Sequence, residues 1–236
     1  MAQTSLPLFI GFVVMAIASL AIYLHGDKRR EFRHHAQFHA LVPFIAASAY
    51  LAMWLGTGNI VAPEGTPVFL ARYVDWSVTT PILLAGLLLT GLHEHPRHST
   101  YILPAIVLDV IMIATGLLSA LAESETARWI WFAWSCAAFV GVLYIAWGPV
   151  RSIGEALGGQ LEKVYRKNLV FLTVVWLAYP AVAALGPEGL GVVSLPAETW
   201  VFLALDITAK VIYGFVATAR FKSVPSEEER GAPATA

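Results

Sequence analysis

Charged residues are scarce in this chain, and their scarcity indicates its class. Lys, Arg, Asp and Glu make up 13% of the 236 residues, whereas soluble domains carry about 25%. Hydrophobic residues make up 58%. This composition is far too apolar for a soluble domain and is typical of a polytopic membrane protein. We therefore expect membrane lipid around it, no nucleic-acid partner and no enzymatic activity.

Cysteine and early positive charge are also lacking. The single cysteine, Cys136, lies in an apolar run and cannot form an intrachain disulfide. The stretch Ala2–Phe9 contains no Lys or Arg, which excludes the n-region of a signal peptide. Positive charge follows the first apolar segment instead, at Lys28, Arg29, Arg30 and Arg33. This pattern predicts a retained helix with its N-terminus outside.

Apolar runs of membrane-spanning length recur along the chain. A bilayer core requires about 20 apolar residues per helix. Seven runs meet this length, and we number them helix 1 to helix 7: Leu6–Leu24, Ala40–Gly56, Phe69–Leu92, Tyr101–Leu121, Arg128–Gly148, Val164–Leu185 and Thr199–Phe221. The predicted fold class is an all-α membrane protein, a seven-transmembrane-helix bundle over residues 1–222. Residues 223–236 are predicted to be a disordered cytoplasmic tail.

Loop charges predict the orientation of the bundle. Positive residues concentrate on one set of connections: Lys28, Arg29, Arg30, Arg33, Arg97, Arg151, Lys163, Arg166, Lys167, Arg220 and Lys222. The other set carries Arg128 against five acids: Glu64, Glu123, Glu125, Glu188 and Glu198. Because cytoplasmic loops are enriched in Lys and Arg, we expect the N-terminus outside and the C-terminus in the cytoplasm.

Four charged residues interrupt the third and seventh apolar runs. Arg72, Asp75 and Thr79 share one face of helix 3, and Asp206 precedes Lys210 by four residues on helix 7. A charge at the centre of a membrane helix costs roughly 2.5–3.5 kcal/mol on insertion scales. Such residues persist when they are paired or functional. The group is either a salt-bridge cluster that holds helices together or a site whose amine condenses with an aldehyde as a Schiff base.

Three motifs, in order along the chain, carry a resemblance. They are RYVDWSVTTP in helix 3, WLAYP in helix 6 and LDITAK in helix 7. The chain resembles the microbial rhodopsins over essentially its full length. The resemblance implies all-trans-retinal bound covalently to Lys210 as a protonated Schiff base. It also implies that Asp75 is the primary counterion and proton acceptor, Asp206 the second counterion and Arg72 the arginine on their extracellular side.

The resemblance also assigns a retinal pocket. Residues around the polyene are Trp76, Thr80, Leu83, Trp176 and Tyr179, and residues at the ionone-ring end are Met112, Gly116, Trp131 and Ser135. Tyr50 matches the helix 2 tyrosine that bonds the second counterion. Leu83 and Ala209 carry no hydroxyl, so we expect green absorption.

The functional triplet of the family is Asp75, Thr79 and Gly86 in this chain. Glycine cannot donate a proton, although well-known outward pumps carry a carboxylate there. The triplet resembles that of a bacterial subgroup sometimes called mirror proteorhodopsins, which implies outward proton pumping across a bacterial plasma membrane by a homo-oligomer. A light sensor that relays to a partner protein fits the same triplet. A retinal-free seven-helix transporter is a third hypothesis.

Further residues at the two ends of the bundle extend this interpretation. His39 lies at the inner end of helix 2, and a histidine near its ordinary pKa of about 6.5 can shuttle protons. His35 and His39 have the i, i+4 spacing of a metal-binding pair, which predicts inhibitory zinc binding; solvated surface histidines are the alternative. Glu188 and Glu198 resemble the paired glutamates that hold a releasable proton in bacteriorhodopsin, or they are solvated loop acids.

Overall fold

A computed structural model describes residues 2–29, 32–62, 65–93 and 99–225. Within these residues, seven helices are long and apolar enough to cross a membrane. Helix 1 to helix 7 are Ala2–His25, Arg33–Trp54, Leu70–Gly91, Ser99–Ala120, Glu125–Leu157, Gly159–Leu185 and Leu195–Lys222. The predicted seven-helix membrane bundle is confirmed. Arg30, Glu64, His95, Arg97, His98 and residues 226–236 lie outside the described residues.

Consecutive helices pack side by side, and helix 7 packs against helix 1 to close the bundle. Each connection is short, so the helices alternate in direction. We call the end where helix 1 begins the N-terminal end and the end where helix 7 finishes the C-terminal end. Helix 2 begins at Arg33, earlier than the predicted Ala40, because the polar stretch before Ala40 continues the helix. This extension places His35 and His39 on one helix.

Two of the seven helices contain π-helical segments. One, Ala146–Val150, lies in helix 5 between Glu125–Ile145 and Arg151–Leu157. The other, Ile207–Ile212, lies in helix 7 between Leu195–Asp206 and Tyr213–Lys222. Wide turns of this kind are common at functional sites. The second one contains Lys210, so the attachment candidate lies on a local widening of its helix.

A small hairpin connects helix 2 to helix 3 at the N-terminal end. Strand β1, Ile60–Val61, pairs antiparallel with strand β2, Pro67–Val68, with Ile60 opposite Val68. Val68 is fully buried, as part of an apolar cluster that also contains Trp76. The hairpin therefore covers the beginning of helix 3, which carries the charged motif.

Arg29 joins the end of helix 7 to the connection after helix 1. Its guanidinium lies 2.6 Å from the Asp27 carboxylate and donates to the carbonyl oxygens of Phe221 and Val224 at 2.9 and 2.6 Å. Basic side chains stabilise the free carbonyls at a helix C-terminus. Burial alone would raise the pKa of Asp27, but hydrogen bonds from Arg29 outweigh it and hold that pKa below its ordinary value. Val224, in the predicted tail, is buried.

Candidate retinal-binding site

Lys210 is enclosed at the centre of the bundle, with a relative exposure of 2%. Its Nζ donates a hydrogen bond to Oδ2 of Asp75 on helix 3. Oδ1 of Asp206, one turn earlier on helix 7, lies 3.2 Å from the same nitrogen. A buried ammonium is tolerated only when its charge is compensated and hydrogen-bonded. The structure thus brings the amine and both predicted counterions together.

Two tyrosines complete the surroundings of Asp206. The hydroxyl of Tyr50 on helix 2 donates to Oδ2 at 2.8 Å, and that of Tyr179 on helix 6 donates to Oδ1 at 2.9 Å. Hydrogen bonds to a charged acceptor are roughly twice as strong as neutral ones. The orientation of the Asp206 carboxylate is therefore set by contacts with side chains of three helices.

Arg72 lies on the N-terminal side of this centre. Its guanidinium is 3.8 Å from the Glu198 carboxylate and is stacked over the rings of Phe69 and Phe202. Both Arg72 and Glu198 are buried. The pair places a cation and an acid between the central carboxylates and the N-terminal end of the bundle. Glu198 is not the solvated loop acid of the alternative hypothesis.

Glu188 is held by a residue that the sequence analysis did not select. The hydroxyl of Tyr73, the helix 3 residue after Arg72, donates to Oε2 of Glu188 at 2.5 Å. Burial raises the pKa of Glu188 above its ordinary value, and the Tyr73 hydrogen bond and the Arg72 charge offset this only in part. Tyr73 could have been found from its place in the RYVDW motif, since a tyrosine beside a buried arginine is a natural hydrogen-bond donor.

Helix 3 carries the remaining members of the triplet. Thr79 is fully buried, and its hydroxyl donates to the backbone carbonyl of Asp75 at 2.8 Å. Gly86 is also buried. A Cβ added at Gly86 would meet only Cδ2 of Phe38, at 3.8 Å, which is ordinary van der Waals contact. The position therefore has room for the start of a side chain.

An apolar pocket extends away from Lys210 between helices 3 to 7. Most of the predicted retinal contacts line it: Trp76, Thr80, Leu83, Met112, Gly116, Ser135, Trp176, Tyr179 and Lys210. Ala209 lines it as well. Trp131 is not a lining residue and is 37% exposed. Phe132 lines the pocket in its place, with Trp129, Cys136 and Phe139. Adjacent residues of a helix point about 100° apart. Matching motifs in this aromatic-rich stretch did not show which of the two neighbouring residues faces the pocket.

Asp109 is an intramembrane carboxyl that the sequence analysis missed. It is 1% exposed and lines the pocket, and its Oδ2 lies 2.6 Å from the hydroxyl of Thr80. This contact connects the middle of helix 4 to helix 3 beside Trp76, whose carbonyl oxygen also lies 2.8 Å from the hydroxyl. The signal was available, because Asp109 is the one charged residue in an apolar run of spanning length.

The histidine pair lies towards the C-terminal end. His35 and His39 are both buried. The His35 ring stacks on Phe221 with centroids 4.0 Å apart, and the His39 ring meets Tyr213 edge-to-face at 5.3 Å. Both imidazoles therefore face helix 7 and are not solvated surface groups. Among the described residues, no cluster of three or more His, Cys, Asp or Glu side chains could hold a metal ion.

The residues of the central site fit retinal. Lys210 supplies a buried amine that can form an imine with an aldehyde. Asp75 and Asp206 supply the negative charge that a protonated imine requires. The pocket is lined by aromatic and aliphatic side chains suited to an unsaturated hydrocarbon chain.

Comparisons with known proteins agree with this fit. The model of the bacteriorhodopsin-like protein family matches residues 2–224. Archaerhodopsin-2 from Halobacterium sp. (strain aus-2) is 36% identical over 97% of this chain and 89% of its own length. The crystal structure of thermophilic rhodopsin from Rubrobacter xylanophilus superposes with a TM-score of 0.87, at 36% identity, over 93% of this chain and 96% of that one.

A second solved structure is described as a light-driven proton pump. This rhodopsin from Coccomyxa subellipsoidea has a TM-score of 0.83 and 31% identity, covering 92% of this chain and 96% of that one. Retinal bound covalently through a lysine as a Schiff base is typical of the family. On these grounds, and on the buried amine and its two carboxylates, the chain belongs to the bacteriorhodopsin-like family of microbial rhodopsins.

Proposed function

We propose that this chain is a light-driven outward proton pump. The observation that carries the proposal is the position of the Lys210 nitrogen, in contact with one carboxylate on helix 3 and another on helix 7. The homologues include light-driven proton pumps. We infer that the N-terminal end faces outside and the C-terminal end faces the cytoplasm, as the loop charges favour. A bacterial plasma membrane, a homo-oligomer and membership of the Asp–Thr–Gly subgroup belong to the same proposal.

Lys210 is the proposed attachment site. Retinal bound there as a Schiff base supplies a light-absorbing group whose isomerisation changes the surroundings and proton affinity of the Lys210 nitrogen. The pocket residues hold the chain of the cofactor and exclude water. Lys210→Ala should abolish the visible band without unfolding the bundle. A covalent, hydroxylamine-sensitive pigment in that variant would contradict the assignment.

Asp75 is the proposed acceptor of the proton from the Lys210 nitrogen. Both aspartates lie beside that nitrogen, but the oxygens of Asp206 already accept hydrogen bonds from Tyr50 and Tyr179. Asp75 accepts the hydrogen bond of the Lys210 nitrogen itself, so we infer that the proton goes to Asp75. An aspartate at this position also argues against a chloride pump.

The proposed route of proton release to the outside runs through the acids at the N-terminal end. Arg72 lies near Glu198, and the adjacent Tyr73 holds Glu188. Two acids held by neighbouring residues of helix 3 can share one releasable proton. Once Asp75 has become neutral, the central site attracts the Arg72 charge less, and movement of Arg72 towards the two acids would lower their affinity for the shared proton. We infer that this change frees the proton.

The return of a proton from the inside requires a donor other than residue 86. Helix 3 has no carboxylate between Asp75 and its C-terminal end. His39 is buried on helix 2 with its ring against helix 7, the helix of Lys210. We infer that His39 passes a proton from the cytoplasmic side to the Lys210 nitrogen. His39→Ala should slow this step, as measured by flash photolysis. His34→Ala, a change at a partly exposed histidine of the same helix, is the control.

Zinc offers a second test of the histidine route. His35 and His39 lie one turn apart on the buried face of helix 2, so they could share a transition metal. Added zinc should slow reprotonation of the Lys210 nitrogen in the wild type. In His39→Ala, zinc should have little further effect. The same late decay in wild type and variant, with and without zinc, would exclude the histidines from the route.

The experiment that tests the whole proposal is light-induced acidification of a suspension of expressing cells supplied with retinal. Acidification that a protonophore abolishes is expected. A coloured protein without acidification would favour the light sensor, which the missing carboxylate at Gly86 also fits. A protein that remains colourless with retinal would instead favour a retinal-free transporter built on the same charge cluster.

A further inference from the structure

Tyr213 contacts the proposed proton donor and lies on the same helix as the attachment site. It follows Lys210 by three residues on helix 7 and is 1% exposed. Its ring meets the His39 imidazole edge-to-face, with centroids 5.3 Å apart and planes at 82°. Phe171 of helix 6 contacts the same ring at 5.5 Å. A single aromatic side chain thus touches the donor candidate on helix 2 and also packs against helix 6.

The surroundings of this ring are apolar. The buried cluster that contains Tyr213 consists otherwise of aliphatic residues and one further tyrosine, among them Val42, Leu84 and Leu172. Nδ1 of His39 is buried and has no hydrogen-bond partner among the described residues. Hydrogen bonding at this nitrogen therefore does not set the orientation of the imidazole. The edge-to-face contact with Tyr213 is an interaction that can orient it, because aromatic pairs prefer defined geometries.

Helix 7 lies close to helices 1 and 2 beside this contact. Gly214 follows Tyr213, and a Cβ added there would lie 2.7 Å from Cδ1 of Ile22 and 3.5 Å from the backbone oxygen of His39. The nearer atom is the flexible end of the Ile22 side chain, and the longer distance is ordinary van der Waals contact. The two helices that carry Tyr213 and His39 therefore pack against each other at this level, which allows the two rings to meet.

We propose that Tyr213 is a positioning residue for proton return, whose aromatic ring holds the His39 imidazole in the orientation from which it supplies the Lys210 nitrogen. The proposal rests on the proposed function of His39. It assigns the role to the ring and not to the phenol hydroxyl, because the contact with His39 is a ring contact. Tyr213→Phe should therefore preserve the role, and Tyr213→Leu should remove it while keeping an apolar side chain in the cluster.

Flash photolysis of the retinal-loaded protein measures the rate at which the Lys210 nitrogen regains its proton. In Tyr213→Leu this rate should fall roughly tenfold, because small misplacements of a reacting group change rates by up to about 100-fold. Tyr213→Phe should stay close to the wild-type rate. His39→Ala/Tyr213→Leu should be no slower than His39→Ala alone, since the ring acts through His39. Tyr165→Phe, which removes a hydroxyl from another tyrosine of the same cluster, is the control.

Nitrogen and proton NMR of the His39 ring in the dark gives a readout that does not depend on pumping. The ring-current shift from Tyr213 should persist in Tyr213→Phe and disappear in Tyr213→Leu. Unchanged or faster recovery in Tyr213→Leu, additive slowing in the double variant, or an unchanged His39 spectrum would each overturn the proposal. The His39→Ala variant separates failure of the donor assignment from failure of the Tyr213 proposal. Recovery at the wild-type rate in His39→Ala would reject His39 as the donor, whereas slow recovery in His39→Ala with normal recovery in Tyr213→Leu would reject only the role of Tyr213.

Discussion

The hydrogen bond from Tyr50 to Asp206 offers a sharp test of the charge arrangement in the central site. The two residues are 2% and 1% exposed, and the donor and acceptor oxygens are 2.8 Å apart. Tyr50→Phe removes this donor and leaves the ring in place. Gly11 allows the ring to lie directly against helix 1, because an added Cβ there would collide with it. The substitution therefore deletes a hydrogen bond without opening a cavity.

The magnitude follows from the charge of the acceptor. A hydrogen bond to a charged group contributes about 1.5–3 kcal/mol, and one between neutral groups about 0.5–1.5 kcal/mol. Tyr165→Phe is the matched control, because it removes a buried hydroxyl that donates to the neutral backbone oxygen of Ala146. We therefore expect Tyr50→Phe to lower the free energy of unfolding by about 1 kcal/mol more than Tyr165→Phe does.

Titration of the purified protein with dodecyl sulfate in mixed micelles measures this difference. The visible band and far-ultraviolet circular dichroism report unfolding independently, so a colour change caused by the substitution does not distort the result. Tyr50→Phe/Tyr179→Phe should lose more stability than the sum of the two single variants, because Asp206 then loses both phenol donors. Equal effects of Tyr50→Phe and Tyr165→Phe would refute an anionic Asp206 held by Tyr50.

Four further substitutions probe the rest of the molecule. Asp75→Asn should shift the absorption to the red at neutral pH and abolish outward pumping, as read by spectroscopy and by light-induced pH change. Gly86→Asp should speed recovery of the Lys210 proton, since the position has room for a side chain; unchanged flash kinetics would contradict this. The Asp27 carboxylate, with its lowered pKa, stabilises the fold above the ordinary pKa near 3.8, and this contribution is lost as pH falls through the lower folded value. Asp27→Asn should therefore reduce stability at pH 7 and flatten the acid limb of a stability profile. Glu188→Gln should delay the appearance of the released proton after a flash, measured with a pH-sensitive dye.

Much of the fold could be predicted because a membrane restricts the structures that a chain can adopt. Backbone groups in lipid must be hydrogen-bonded within the helix, so a long apolar run has essentially one structure available. The seven spans were found for this reason. Their ends were less accurate: helix 2 begins at Arg33 because polar residues can continue a helix beyond the hydrocarbon region. The π-helical segment around Lys210 leaves no mark in the hydrophobic pattern, so it was not predicted.

The residues of the candidate site were also predicted only in part. Lys210, Asp75 and Asp206 were identifiable because an intramembrane charge is costly and helical spacing shows which of them share a face. Asp109 is also a charged residue within an apolar run, but it was not predicted because none of the motifs includes it. Trp131 was predicted as a pocket residue and Phe132 was not, because letters in a motif do not report the direction of a side chain. Such directions depend on helix rotation, which neighbouring helices determine.

Hydrophobicity, charge and helical spacing were enough to predict the number of spans, the fold class and an intramembrane amine with two acids. The family was predicted from the motifs in helices 3, 6 and 7. The packing of the helices decides which residues meet: Tyr50 and Tyr179 contact Asp206, Tyr73 contacts Glu188 and Tyr213 contacts His39. Each of these contacts joins different helices or a helix and a distant loop. The physical reason is that their geometry depends on how the helices pack and rotate against one another, which local sequence does not specify.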